Sequence, residues 1–311
     1  MKNAKRWLPG ALISLLLIAA ILYFVDLRAV LAAMRAADYR ILAAGMACSF
    51  LWLAVRAVVW RTLLQDRAPY GTVLLTVGEG YLLNHILPFR LGEIGRAFLL
   101  SRKSDLQFSE ILPTIVIERA VDLAFAAAIL LAALPFVVGA EGAGQIGTVV
   151  GVIILLGLGF LYALARNSRR ALGLFHRLSA RWPAVQQLGG NFLEYFLAGL
   201  GVLTRGLLFA RFLFWMSINW LIAIGAYFLI IRAFFPQAQP LWGMFGLGAA
   251  SFGGALTILS GDQSTALAVA LTARMYNYLN SGVIGGIGLS REGQTLSGLY
   301  RQLMQFRSKG V

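Results

Sequence analysis

Arg90, Glu93 and Arg96 interrupt the otherwise apolar stretch LLNHILPFRLGEIGRAFLL, residues 82–100. Their i, i+3, i+6 spacing puts them along one face of a helix. Two guanidiniums around one carboxylate form an ion-pair network. If one guanidinium is left over, it grips an anionic oxygen. Pro88 breaks the chain just before this face. Gly92 and Gly95 remove side chains there, so a second backbone or a ligand can approach closely. Residues 89–93 then lie near a helix N-terminus, which attracts anions.

A second charged set stands in LPTIVIERAVDLAFAAAILLAALPF, residues 112–136. Glu118 and Asp122 are i, i+4 on one face, with Arg119 beside them. Carboxylates this short cannot snorkel far. Acids inside a membrane face a partner or a wet cavity. Arg90, Arg96 and Arg119 balance Glu93, Glu118 and Asp122. Two readings follow. Either the six form buried ion pairs that pin two segments together, or the acids orient arginines that bind an anionic headgroup. Glu79, Asn84 and His85 precede the break and could line the same cavity. Further along, Arg274 is followed by Asn277 and Asn280, a cavity-lining face or a set of interhelical hydrogen bonds. Asp262 is the one acid near the second interrupted stretch.

These charges must be carried by elements that suit lipid. The chain of 311 residues is 59% hydrophobic and 13% charged, with mean hydropathy +0.76. A soluble domain is nearer a quarter charged. The net charge of +14 does not read as nucleic-acid binding, because basic loops on the cytoplasmic side of a membrane account for it. One cysteine, Cys48, and two histidines, His85 and His176, argue against a disulfide, a metal site or a bound cofactor.

Hydropathy predicts an all-α, polytopic membrane helical bundle over 1–311. Six full spans are expected at 8–25, 41–60, 112–137, 146–165, 207–231 and 265–288. Two interrupted stretches, 72–100 and 242–262, read as re-entrant hairpins, tolerated only where protein or a wet cavity surrounds them. The first apolar run reads as a retained span rather than a cleaved signal. Most basic residues then fall on the cytoplasmic side, together with both termini and the basic tail 291–311. Arg56, Arg61 and Arg67 are taken here as cytoplasmic charges after the second span. Two spans, a hairpin and a third span recur in order, so an inverted repeat with halves 1–140 and 141–290 is expected. The connector 166–206 reads either as a surface-lying amphipathic helix or as a solvated loop.

The pattern N-x-x-x-P-x-R-x-G-E-x-x-R, followed by E-R-x-x-D, resembles the lysylphosphatidylglycerol synthase transmembrane region, a flippase-like family. The matching residues are Asn84, Pro88, Arg90, Gly92, Glu93 and Arg96, then Glu118, Arg119 and Asp122. The resemblance implies an inverted-repeat fold with re-entrant hairpins and a role in handling a lipid. No aminoacyl-transfer domain is expected, so no synthase activity carries over. The second hairpin departs from the pattern: LGAASFGGALTILSGDQSTALA keeps Gly253 and Gly254 but has no Pro or Glu.

The expectation is a protein of the bacterial-type inner membrane that moves an anionic lipid or lipid-linked intermediate between leaflets. Arg90, Arg96, Arg119 and Asn84 would contact the headgroup. Glu93, Glu118, Asp122 and Glu79 would orient them, and Pro88 and Gly92 would make the break. Asp262 and Arg274 would serve from the second half. Two alternatives stand beside it: a transferase on a polyprenyl phosphate or phospholipid, and a scaffold for a lipid-synthesis enzyme.

Overall fold

The computed structural model describes residues 27–86, 92–133, 140–240, 242 and 260–291. The expected first span, the hairpin tip with Pro88 and Arg90, most of 242–262 and the tail after 291 lie outside the described residues.

Among the described residues the chain is all-α, with ten α-helices and one short 3-10 turn. They are α1 (Leu27–Ala36), α2 (Tyr39–Leu63), α3 (Tyr70–Ile86), α4 (Gly92–Lys103), α5 (Phe108–Ala133), α6 (Ala140–Arg166), α7 (Ser168–Ser179), α8 (Pro183–Leu200), α9 (Gly206–Phe234) and α10 (Gln263–Arg291).

Three helices are long and apolar enough to cross a membrane: Tyr39–Leu63, Thr148–Arg166 and Gly206–Phe234. These correspond to the expected spans 41–60, 146–165 and 207–231. α5 covers 112–133 of the span expected at 112–137, where 134–137 lie outside the described residues, and α10 covers 265–288, with helices of 26 and 29 residues. Their composition does not mark them as spans, because Glu118, Arg119 and Asp122 interrupt α5, and Arg274, Asn277 and Asn280 interrupt α10.

The centre of the bundle is the antiparallel pair α2 and α9. Asp38 caps the start of α2, accepting from the Arg40 and Ile41 amides. Its own amide donates to the Ala233 carbonyl at 2.9 Å, near the end of α9. At the opposite end, Asp66 pairs with Arg211 at 2.7 Å. Midway, the Asn219 amide donates to the Trp52 carbonyl at 2.8 Å.

α3 and α4 form a helical hairpin. Its antiparallel sense shows in two contacts. Gly92, at the start of α4, abuts Asn84, and Arg96, one turn further along α4, abuts Gly80, one turn back along α3. Glu79 also pairs with Lys103 at 2.5 Å. α4 has 12 residues and rises about 18 Å. The hydrocarbon core is roughly 30 Å thick.

Glycines set the closest approaches. A Cβ on Gly92 would lie 2.1 Å from the Gly80 carbonyl oxygen. α3 also crosses α10, where a Cβ on Gly285 would lie 2.8 Å from the Gly78 carbonyl oxygen. Small residues at such seams let backbones touch where lipid supplies no hydrophobic drive.

The connector 166–206 is helical. α7 carries Arg169, Arg170 and Arg177 and leaves Leu174 and Leu178 exposed, which fits the surface-helix reading rather than the loop. α8, in the same connector, packs on α5 where Gly199 abuts Pro113.

Substituting Gly92→Ala or Gly285→Ala should destabilise the detergent-purified protein by about 1–3 kcal/mol, as overpacking does. Gly282→Ala, with nothing within 4 Å of its would-be Cβ, should be neutral or slightly stabilising. Thermal unfolding of the three variants side by side checks this.

Candidate functional site

Glu118 sits at the meeting point of α2, α4 and α5, and is fully buried. An isolated carboxylate there would cost several kcal/mol of lost hydration. Three guanidiniums compensate it. Arg56 reaches it from α2. Arg96 reaches it from α4, at 2.7 Å to Oε2 and 3.3 Å to Oε1. Arg119, the next residue on α5, folds back to 2.8 Å from Oε1.

Three cations around one anion would repel each other, and further acids relieve this. One helical turn on, Asp122 accepts from Arg56 Nη1 at 2.8 Å and lies 3.2 Å from Arg119. Glu93, from the start of α4, lies 3.7 Å from Arg119. The set Arg56, Arg96, Arg119, Glu93, Glu118 and Asp122 is formally neutral.

The three arginines differ in what they have left to offer. Arg56 is 2% exposed and also reaches Asn219 Oδ1 on α9, at 3.5 Å. Arg96 is buried, with its guanidinium 4.1 Å over the Trp60 ring. Trp60 is itself held by donating to Thr114 at 3.0 Å. Arg119 is 32% exposed and stands on the wall of two cavities.

The larger cavity, about 610 Å³, lies between α2, α3, α5, α9 and α10 and is lined by Trp52, Arg56, Tyr81, Arg119, Asp122 and Trp220, among others. The smaller, about 290 Å³, is lined by Asn84, His85, Glu93, Arg119, Arg274 and Asn280, among others. Trp52, Tyr81, Arg119 and Asn277 belong to both walls. The Trp52 and Tyr81 rings are 5.6 Å apart.

Arg274, on α10, faces the smaller cavity and makes no ion pair among the described residues. Asn84, Glu93 and Arg119 share that cavity with it. Glu79 lies apart, buried and paired with Lys103. Asp262 is exposed and caps α10. It accepts from the Thr265 amide at 3.0 Å and from the Thr265 hydroxyl at 2.6 Å. These bonds hold its carboxyl below the usual aspartate range. The cap is therefore complete above the ordinary aspartate pKa and lost as pH falls through the lowered one. Arg90 and Pro88 lie outside the described residues. Among those residues, no cluster of three His, Cys, Asp or Glu could hold a metal.

Arg56 corrects the sequence reading. It was grouped with Arg61 and Arg67 as a cytoplasmic flanking charge, but it is buried in the cluster. The signal was present: Arg56 stands inside the run LWLAVRAVVW, within the span expected at 41–60, and a charge there requires a partner. Asn219 and Trp60, also part of the cluster's shell, gave no such signal.

An all-helical, multi-pass membrane bundle with a buried charge cluster beside internal cavities defines the class of protein. The family model for the lysylphosphatidylglycerol synthase TM region matches residues 7–261, and the chain belongs to that family. No curated protein and no solved structure matches the chain. The family links this membrane protein to lipid metabolism.

Removing one partner of a buried ion pair leaves the other uncompensated, at about 3–5 kcal/mol. Arg56→Gln and Glu118→Gln should each lose stability on that scale. The double variant should lose much less than the sum, because the two changes leave opposite net charges and together restore neutrality. Chemical or thermal unfolding in detergent reads both effects.

Proposed function

We propose that this protein binds the anionic headgroup of a membrane lipid between Arg119 and Arg274 and carries it between leaflets. The observation that bears most weight is Arg274: a guanidinium on a cavity wall, without an acid partner among the described residues, sharing that cavity with Arg119. An arginine pair so placed matches a phosphate, which accepts from planar guanidinium forks. Arg96 is not assigned this role, because it is buried and lines neither cavity, whereas Arg119 is part exposed on the walls of both.

The cavities suit a lipid rather than a soluble anion. Leu123 on the wall of the larger cavity is 65% exposed, so that wall reaches the lipid-facing side of α5. Acyl chains can stay in the bilayer while the headgroup enters. The short α4 and the hairpin with α3 support a re-entrant segment that brings Glu93 and Asn84 to membrane depth. α5 and α10 occupy corresponding places in the two halves of the proposed inverted repeat. Rocking of one half against the other would expose the site to each leaflet in turn. The inner membrane, with both termini cytoplasmic, follows from the distribution of basic residues.

Headgroup transport by protein reconstituted in liposomes, followed with a fluorescent anionic phospholipid, tests the reading. Arg274→Gln and Arg119→Gln should each slow transport by at least about ten-fold, the loss of one charge-assisted contact. Arg274→Gln should leave the unfolding temperature near that of the unsubstituted protein, since it breaks no internal pair. Full transport in Arg274→Gln would refute the assignment.

A further inference from the structure

A separate cavity of about 250 Å³ lies at the end of the bundle where α2 stops and α9 starts. It sits between the end of α2, the start of α5 and the end of α8. Its polar wall is Gln65, Arg67, Glu110, Thr114, Tyr195 and Arg205. Arg67, Tyr195 and Arg205 are exposed. Charges left open in this way belong in water, because charges inside a membrane turn inward to a partner or a wet cavity. The cavity therefore opens to the aqueous phase.

Two guanidiniums converge on it from different segments. Arg67 Nη1 donates to Glu110 at 3.2 Å, and Arg205 Nη1 donates to Gln65 at 2.7 Å. A guanidinium carries five N–H donors, so both keep donors for a ligand. Glu110 is the one carboxylate among the lining residues, and its second oxygen already accepts from the Gln107 amide at 2.9 Å. Asp66, beside Gln65, is taken by Arg61 and Arg211. Two arginines against one glutamate leave the wall with positive charge in excess.

The turn that presents these side chains is strained. Gln65 and Asp66 have φ of 56° and 57°, in the left-handed region that residues with a Cβ seldom occupy. At Gly261, with φ of 70°, the chain uses glycine for such backbone. Strain kept without glycine gathers at ligand clamps and switches. Thr114, on the same wall, also accepts from Trp60, whose ring lies against Arg96 of the charge cluster. Two side-chain contacts thus tie the cavity to the cluster.

Size narrows the ligand. Sites for drug-sized molecules run to roughly 300–1,000 Å³. This one is smaller and suits a single tetrahedral anion with a short substituent. Phosphate accepts from two guanidinium forks at once. We infer that this cavity binds the phosphate group of a small water-borne ligand, held between Arg67 and Arg205. The site is separate from Arg119 and Arg274 and does not depend on lipid transport.

Calorimetric titration of inorganic phosphate onto the full Arg274→Gln chain, in phosphatidylcholine nanodiscs, tests this with the cavity site of the proposed transport disabled. Phosphate should bind, and Arg67→Gln and Arg205→Gln should each weaken it by at least about ten-fold. Neither change should shift the unfolding temperature, since both side chains are exposed. Arg169→Gln, at an exposed arginine of α7, should leave phosphate binding as it was. Absence of binding overturns the inference, as does binding that survives both cavity substitutions or that Arg169→Gln weakens equally. Phosphatidylglycerol added to the nanodiscs separates the two sources of phosphate. Unchanged binding supports the water-borne ligand, whereas displacement of phosphate overturns that source in favour of a lipid headgroup. None of these outcomes bears on the Arg119 and Arg274 site.

Discussion

Burying Glu118 is the constraint on which the rest of the arrangement depends. A carboxylate shielded from water at the junction of three helices must be neutralised, and one guanidinium brings its own unmet donors. Arg56, Arg96 and Arg119 together satisfy both carboxylate oxygens. They come from α2, α5 and the returning limb of the hairpin, so one carboxylate fixes the relative positions of all three. The excess positive charge then demands Asp122 and Glu93, and Asp122 already lies one turn along α5. Such a cluster is weak evidence of stability, since a hydrophobic replacement often does as well. Its value lies in holding Arg119 at a defined place on a cavity wall.

The second constraint is close contact between backbones. Gly80 with Gly92 closes the hairpin, and Gly78 with Gly285 seats it on α10. The seam brings Arg274 to the cavity that Glu93 and Arg119 line. His85 and Tyr278 meet edge to face at 4.4 Å along the same seam. Charge cluster and glycine seam thus act together. One orients Arg119, and the other positions Arg274 of α10.

Much of this was legible in the sequence, and the limits have physical causes. The i, i+4 spacing of Glu118 and Asp122 showed a single acidic face, and intramembrane carboxylates require partners, so a cluster with Arg96 and Arg119 followed. The identity of the third arginine did not. Arg56 is five residues from Arg61, a true flanking charge, and sequence distance alone does not separate them. Which arginine remains available also depends on tertiary geometry. Arg96 is consumed by Glu118 and Trp60, whereas Arg119 and Arg274 reach open space. Asp262 turned out to cap a helix, a role that Asp at that position performs without any ligand. The connector 166–206 stayed open between helix and loop because Gly189, Gly190 and the polar Gln186, Gln187 and Asn191 obscure its period.

The central claim is that the charge cluster holds Arg119 on a cavity wall, where it and Arg274 together meet a lipid phosphate. Native mass spectrometry of the gently detergent-extracted protein tests it most directly. The account predicts a bound phospholipid mass on the unsubstituted chain that is lost in Arg274→Gln and retained when the surface residue Arg170 is changed to Gln. Equal lipid retention in Arg274→Gln and the unsubstituted protein would contradict it.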